Sequence, residues 1–145
     1  MLIDHILQRK GSEVVTIAAD ATVSQAVASL RDHNIGAIVV TTEPEQGIAG
    51  IISERDVVRA LAVDGSRTLN RPVRDLMTTE VTTCGLRATV DEVMTLMTNR
   101  RIRHVPVVDE GSLAGMVSIG DVVKSRIGEL EDETQTLHDY LSSGR

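Results

Sequence analysis

Two short stretches place a hydroxyl and a carboxylate at the same spacing: Gly50-Ile51-Ile52-Ser53-Glu54-Arg55-Asp56 and Gly115-Met116-Val117-Ser118-Ile119-Gly120-Asp121. In each, an apolar run of strand character ends at the serine and a helical pattern begins. Ser-x-x-Asp at such a junction is first of all a helix cap. Its hydroxyl and carboxylate satisfy otherwise unpaired backbone amides, which is worth about 1 kcal/mol. The same place is the positive end of a helix, where free amides favour an oxygen-rich ligand. A carboxylate there can accept hydrogen bonds from the vicinal hydroxyls of a ribose, and the serine hydroxyl can add another contact. Capping and ribose binding are compatible.

A second group is basic. Arg100, Arg101, Arg103 and His104 cluster in an acidic chain, with Lys124 and Arg126 downstream. Charge at a helix end is commonly a solvated face, but forked guanidinium groups also suit phosphate oxygens. The counterpart in the first half, His33, Asn34, Gly36 and Ala37, is much poorer in charge, so two such sites would differ in ligand or occupancy. Catalytic patterns fail on inspection. Gly115-x-x-Ser118-x-Gly120 is one residue off a nucleophile elbow. Neither the dinucleotide fingerprint nor the phosphate-binding loop is present. His5, His33, His104 and His138 lack metal-ligand spacing. Cys84 lies in a strand candidate and reads as a buried, small apolar residue.

The elements that must position these groups are written twice. Glu13-Val14-Val15-Thr16 and Ala21-Thr22-Val23 return as Glu80-Val81-Thr82-Thr83 and Ala88-Thr89-Val90. The junction motif returns two residues early, because the loop from Thr42 to Gly47 shortens to Asp109-Glu110-Gly111. Each copy predicts a strand (13–17, 81–84), a helix, a hairpin of two strands (37–41 with 48–52, 104–108 with 113–117) and a closing helix (54–63, 119–127). The first helices carry Val23, Ala26, Val27, Leu30 and Val90, Val93, Met94, Met97 at i, i+3, i+4 and i+7, behind the capping boxes Thr22-x-x-Gln25 and Thr89-x-x-Glu92. Pro106 should lie at a strand start or edge, where a missing amide costs least. The fold class is α/β (α+β): two β-α-β-β-α repeats packed through their sheets as a pseudo-two-fold pair. Repeat 1 covers 1–66 with an N-terminal helix, repeat 2 covers 67–128, and 129–145 is a helical tail with a thin apolar stripe that docking on a second subunit would stabilise.

At 145 residues the chain can bury one domain or two small halves. With Tyr140 its only aromatic residue and neither Phe nor Trp, its core must be aliphatic, and no platform exists for stacking single-stranded bases. A net charge of −6 argues against nucleic acid as a partner. No apolar run approaches the ~20 residues of a membrane span, and no signal-peptide pattern opens the chain. One cysteine suits a reducing, cytoplasmic setting.

Taken together, the duplicated β-α-β-β-α order, the Thr-Val helix starts and the Gly-h-h-Ser-x-x-Asp junctions resemble tandem cystathionine β-synthase (CBS) domains, a Bateman module of the stand-alone bacterial type. His104-Val105-Pro106-Val107-Val108-Asp109 and the segment from Gly115 to Asp121 are especially similar to the family pattern. The resemblance covers residues 1 to about 127. It implies a regulatory, non-catalytic sensor that binds an adenine nucleotide (AMP, ATP or NAD(H)) and signals occupancy to an effector protein. It also implies a homodimer with four CBS units in a disc. Carried over, one site uses Thr16, Ile17, Ile38, Ser53 and Asp56; the other uses Thr83, Cys84, Val105, Pro106, Ser118 and Asp121. Arg103, His104 and Lys124 are phosphate candidates, with Arg55 a weaker one. Ser118 and Asp121 stand as the stronger pair, because some family members keep only one working site. A structural or dimerisation module without ligand, and an S-adenosylmethionine sensor, are the alternatives.

Overall fold

The computed structural model describes residues 1–42 and 47–143. The loop predicted from Thr42 to Gly47 lies mostly outside them. Helix α1 (Ile3–Lys10) precedes β1 (Thr16–Ala18), α2 (Val23–His33), β2 (Ala37–Thr41), β3 (Ile48–Ser53) and α3 (Glu54–Asp64). Two 3₁₀ turns, Gly65–Asn70 and Val73–Asp75, form the connection. The second copy then supplies α4 (Val90–Arg100), β4 (His104–Asp109), β5 (Ser112–Ser118) and α5 (Ile119–Ser143). The mixed α+β architecture and the duplicated order are those read from the sequence. Both predicted capping boxes form, at Thr22/Gln25 and Thr89/Glu92.

The first sheet has order β1-β2-β3, with β1 parallel to β2 and β2 antiparallel to β3. The second has only β4 and β5, antiparallel. The strand predicted at 81–84 is reduced to a single parallel bridge, Cys84 to Val107. Pro106 explains the loss. In the first copy the Val39 amide donates to the Val15 carbonyl at 3.4 Å. Its counterpart is Pro106, which has no amide to offer Thr82. Pro106 therefore sits inside β4, opposite Met116, rather than at a strand start.

Two aliphatic cores form, one per repeat. Val23, Ala26, Leu30, Ile38, Val40, Ile52, Val57 and Val73 make the first. Val90, Val93, Met97, Val105, Val107, Val117 and Val122 make the second, together with Ile3, Ile6 and Leu7. The segments that precede the repeats are thus exchanged. Helix α1, grouped with the first repeat by its position in the chain, packs on the second core, while Val73 of the linker packs on the first. The backbone repeats the exchange: the Ile3 amide donates to the Ala88 carbonyl at 2.8 Å, and the Val73 amide donates to the Ala21 carbonyl at 2.7 Å.

The glycines of the junction motifs serve this crossing. A Cβ on Gly50 would lie 2.7 Å from the Thr78 carbonyl and 2.8 Å from Met77 Sδ. One on Gly115 would lie 2.7 Å from Leu7 Cδ2. Each β-strand needs a bare backbone where the other copy's leading segment passes over it.

The helix predicted to close near Ile127 continues through Gly128 to Ser143 as a single α5. One internal glycine costs about 1 kcal/mol relative to alanine, which does not stop a helix whose next turns are rich in Glu and Leu.

Candidate functional site: a cleft built from both repeats

Asp56 and Ser53 close a capping box at the start of α3. Asp56 Oδ2 accepts from the Ser53 amide at 2.9 Å and from the Ser53 hydroxyl at 3.0 Å, and Ser53 Oγ accepts from the Asp56 amide. Both bonds to the carboxylate use Oδ2, and Oδ1 of Asp56 makes no hydrogen bond among the described residues. The helix opens onto a cavity of about 320 Å³. Its first wall is Gly36, Ala37, Ile51 and the α3 side chains Glu54, Arg55 and Arg59. Its second wall comes from the other repeat: Thr78, Glu80, Val81 and Thr82 on one segment, Arg101, Ile102, Arg103 and His104 on another.

The crossing of the chain brings these walls together. Ile51 of β3 and Thr78 exchange two backbone hydrogen bonds, of 3.0 and 2.9 Å, which lays the segment 78–82 along the edge of the first sheet. Pro106 leaves that segment without the ladder bond its counterpart has, so Thr82 faces the cleft. Arg101 ends α4 in the left-handed region at φ 55°, where Asn34 ends α2 at φ 52°. Asparagine tolerates that conformation, whereas arginine is held there at a cost of about 1–2 kcal/mol. The strained residue is the one that lines the cleft.

Four arginines, Arg55, Arg59, Arg101 and Arg103, against the carboxylates of Glu54, Asp56 and Glu80 give the cleft a net positive lining in an acidic chain. His104 is half-buried beside Gly36 and Glu54. Burial pushes its pKa below the ordinary 6.5, and Glu54 only partly restores it. At pH 7 its ring is neutral in the empty site.

The second junction repeats the box, with Asp121 Oδ2 accepting from the Ser118 amide at 2.9 Å and Ser118 Oγ accepting from the Asp121 amide at 3.2 Å. There a cation of the chain itself has moved in. Lys10 Nζ, at the end of α1, donates to Asp121 Oδ2 at 2.7 Å and to the Met116 carbonyl at 2.9 Å. Burial alone would raise the Asp121 carboxyl, but hydrogen bonds from Lys10 and Ser118 outweigh it and hold the pKa below the usual carboxylate value. At the first junction the Thr78 amide takes the Ile51 carbonyl, the counterpart of the Met116 carbonyl, and no side-chain cation bonds Asp56 among the described residues.

Of the residues singled out from sequence, the cleft gathers Ser53, Arg55, Asp56, Arg103 and His104. Ile38 and Val105 are sealed in the two cores, and Pro106 is buried in β4, so these lie away from the cleft surface. Thr16 and Thr83 are exposed, Ile17 packs on the first core, and none of the three lines the cleft. Cys84 packs on the second core, where burial pushes its thiol up to about 11. Asp121 is paired with Lys10, Ser118 bonds only Asp121, and exposed Lys124 lies on their side of the molecule, one turn along α5 as Arg59 is along α3. Sequence reasoning missed Arg59, which stands one helical turn beyond Arg55, and also Lys10, Thr78 and Glu80. It placed the ligand in the cleft between the paired sheets but drew each site's residue set from one repeat. Similarity between copies shows which residues correspond, but not which copy lends each wall.

The CBS domain family model matches residues 6–63 and 73–128, which covers both repeats and most of the chain. This chain belongs to the CBS domain family. It is 40% identical to the CBS domain-containing protein CBSX3, mitochondrial, of Arabidopsis thaliana, over 98% of this chain and 72% of that one. Among solved structures, a CBS-domain containing protein from Agrobacterium tumefaciens is 44% identical, with a TM-score of 0.84 over 86% of this chain and 92% of that one. Two similar CBS proteins carry adenosine-based ligands. A CBS domain protein from Pyrobaculum aerophilum complexed with AMP is 27% identical, with a TM-score of 0.74 over 83% and 89% of the two chains. The CBS domain pair of protein MJ0100, in complex with 5′-methylthioadenosine and S-adenosyl-L-methionine, is also 27% identical, with a TM-score of 0.79 over 89% and 98%. CBS pairs similar to this one thus include proteins that bind adenosine-based ligands, and this chain has a cleft between its two repeats.

Proposed function

We propose that this CBS pair is a non-catalytic sensor that takes one adenine mononucleotide, AMP or the corresponding part of ATP, in the cleft headed by Asp56. The observation that carries the reading is the meeting in one cavity of a ribose-type acceptor from the first repeat with Arg101, Arg103 and His104 from the second. Asp56 Oδ1 accepts the ribose hydroxyls, the base lies against Ile51, Val81 and Ile102, and the arginines take the phosphate. A volume of about 320 Å³ stands at the lower end of the roughly 300–1,000 Å³ usual for small-molecule sites. That size favours a mononucleotide over NAD(H). The arginine lining favours phosphate over the sulfonium of S-adenosylmethionine, which MJ0100 binds.

Ligand binding orders both walls at once and so changes how the repeats are held, which an effector protein reads. The rival reading, an interaction module without ligand, draws on the fact that both capping boxes are complete without any ligand. A single half-buried thiol agrees with a reducing, cytoplasmic setting.

The test is titration calorimetry with AMP, ATP, NAD⁺ and S-adenosylmethionine on the parent chain, Asp56→Asn and Arg103→Ala. Hydrogen bonds to charged groups are worth about 1.5–3 kcal/mol. Each substitution should therefore weaken AMP about ten- to hundredfold, with little change in thermal stability, because an asparagine oxygen at this N3 position can still accept the Ser53 amide and Arg103 stands exposed in the cleft. No AMP binding at millimolar concentration, or affinity unmoved by either substitution, favours the interaction module.

A further inference from the structure

The distal half of α5 stands alone. Every residue from Leu130 to Ser143 is exposed, including Leu137 at 59% and Leu141 at 65%. An isolated helix of this length is marginal in water, so a partner must cover it. Its apolar positions fall at Val123, Ile127, Leu130, Leu137 and Leu141, with Thr134 filling the one remaining place in an unbroken alternation of four- and three-residue steps. That alternation is a coiled-coil seam: Ile127, Thr134 and Leu141 at a, Val123, Leu130 and Leu137 at d. A shallow groove lined by Ile127, Leu130, Glu131, Thr134, Gln135 and His138 runs along this face.

The flanking charges name the occupant and its direction. Arg126, Glu133 and Tyr140 hold the g positions, Lys124, Glu131 and His138 the e positions. In a parallel, in-register pair each g residue meets the e residue of the following heptad on the partner helix. Arg126, which also bonds Glu129 of its own helix at 2.9 Å, then reaches Glu131 of the second copy, and Glu133 faces His138 of the second copy, twice over by symmetry. An antiparallel pair sets Glu131 against Glu131 and Glu133 against Glu133 at its centre. An anionic lipid surface is disfavoured by the acidic flank of Glu129, Glu131, Asp132 and Glu133.

We infer that residues 123–141 of α5 pair with the same segment of a second copy as a parallel two-stranded coiled coil, with Thr134 facing Thr134 across the axis and fixing the register. This contact is separate from any packing of the CBS repeats into a disc. It does not rest on the nucleotide reading.

The test uses the full chain. Leu137→Cys places thiols across the d layer, while Asp139→Cys puts them on the outer face, at f. Under mild oxidation Leu137→Cys should give a disulfide-linked dimer on a non-reducing gel, at least tenfold faster than Asp139→Cys or the parent chain. Adding Leu130→Glu should slow that cross-linking at least tenfold, with circular dichroism checking that the repeats stay folded. A disc dimer with free tails gives no preference for position 137. An antiparallel pair cross-links mixtures of Ile127→Cys and Leu137→Cys chains in preference to Leu137→Cys alone. Either result overturns the inference, as does cross-linking indifferent to Leu130→Glu.

Discussion

His104 meets two opposing demands. Burial drives its pKa below 6.5, so the empty cleft holds a neutral ring, while a phosphate placed beside Arg103 would favour the imidazolium. The sign follows from linkage. If the bound anion raises the histidine pKa, binding takes up protons, and affinity strengthens as pH falls through the bound-state pKa towards the lower free-state pKa. AMP affinity should therefore rise between pH 8 and pH 6 in the parent chain. The nucleotide's own phosphate titrates in the same range, so the reading is the difference between the parent and His104→Asn. The parent should gain several-fold more than the variant, and calorimetry in buffers of different ionisation enthalpy should show its proton uptake. Equal pH profiles would remove His104 from the phosphate site. The core behaves differently: Ile38→Ala should cost about 2–5 kcal/mol of stability, seen as a lower denaturant midpoint, because Ile38 is fully buried away from the cleft.

At the scale of elements, the two junction glycines support different neighbours. A methyl at position 50 meets backbone, the Thr78 carbonyl at 2.7 Å, and so pushes on the very segment that forms a cleft wall. A methyl at 115 meets the far end of Leu7, a flexible side chain that can turn aside. Gly50→Ala should lower thermal stability more than Gly115→Ala and should also weaken nucleotide, whereas Gly115→Ala should leave the cleft's affinity within about twofold. A larger loss of AMP affinity in Gly115→Ala would contradict the crossed arrangement. These pairs also show what was legible. The capping boxes, the apolar periods and the doubling of Ser-x-x-Asp are local patterns, and they located the helices, most strands and one end of the site. The exchange of α1 and Val73 between cores is a long-range packing choice, with no local signature beyond the two glycines. Pro106 was seen as an obstacle to a ladder, but its effect fell on the neighbouring strand, which shrank to one bridge at Cys84. Thr83 and Cys84 lie off the Asp56 cleft, whose wall on that segment is Thr78, Glu80, Val81 and Thr82.

For the whole molecule, the exchange makes the two junctions unequal. Lys10 rides on α1, whose Ile3, Ile6 and Leu7 are part of the second core, so the chain supplies its own cation to Asp121. The pair is partly exposed, and contacts of this kind are worth at most about 1 kcal/mol. It biases the second site against a ribose without sealing it. At the first junction no cation of the chain bonds Asp56 among the described residues, and Glu80 in the cleft wall cannot pair with a second carboxylate. The parent chain should then bind close to one AMP per chain at concentrations that saturate the Asp56 cleft. Lys10→Met should strengthen a second, weaker event by about fivefold, the equivalent of that 1 kcal/mol, and carry the stoichiometry towards two. Asp121→Asn in the same background should abolish the gain. Equilibrium dialysis with labelled AMP reads all three. Two equal sites in the parent, or a Lys10→Met chain that stays at one, would show that Lys10 is only a tether for α1. If the gain appears, a ligand entering the second site must displace Lys10 and so release the end of α1 from β5. Occupancy at one cleft would then alter the helix that completes the other repeat's core.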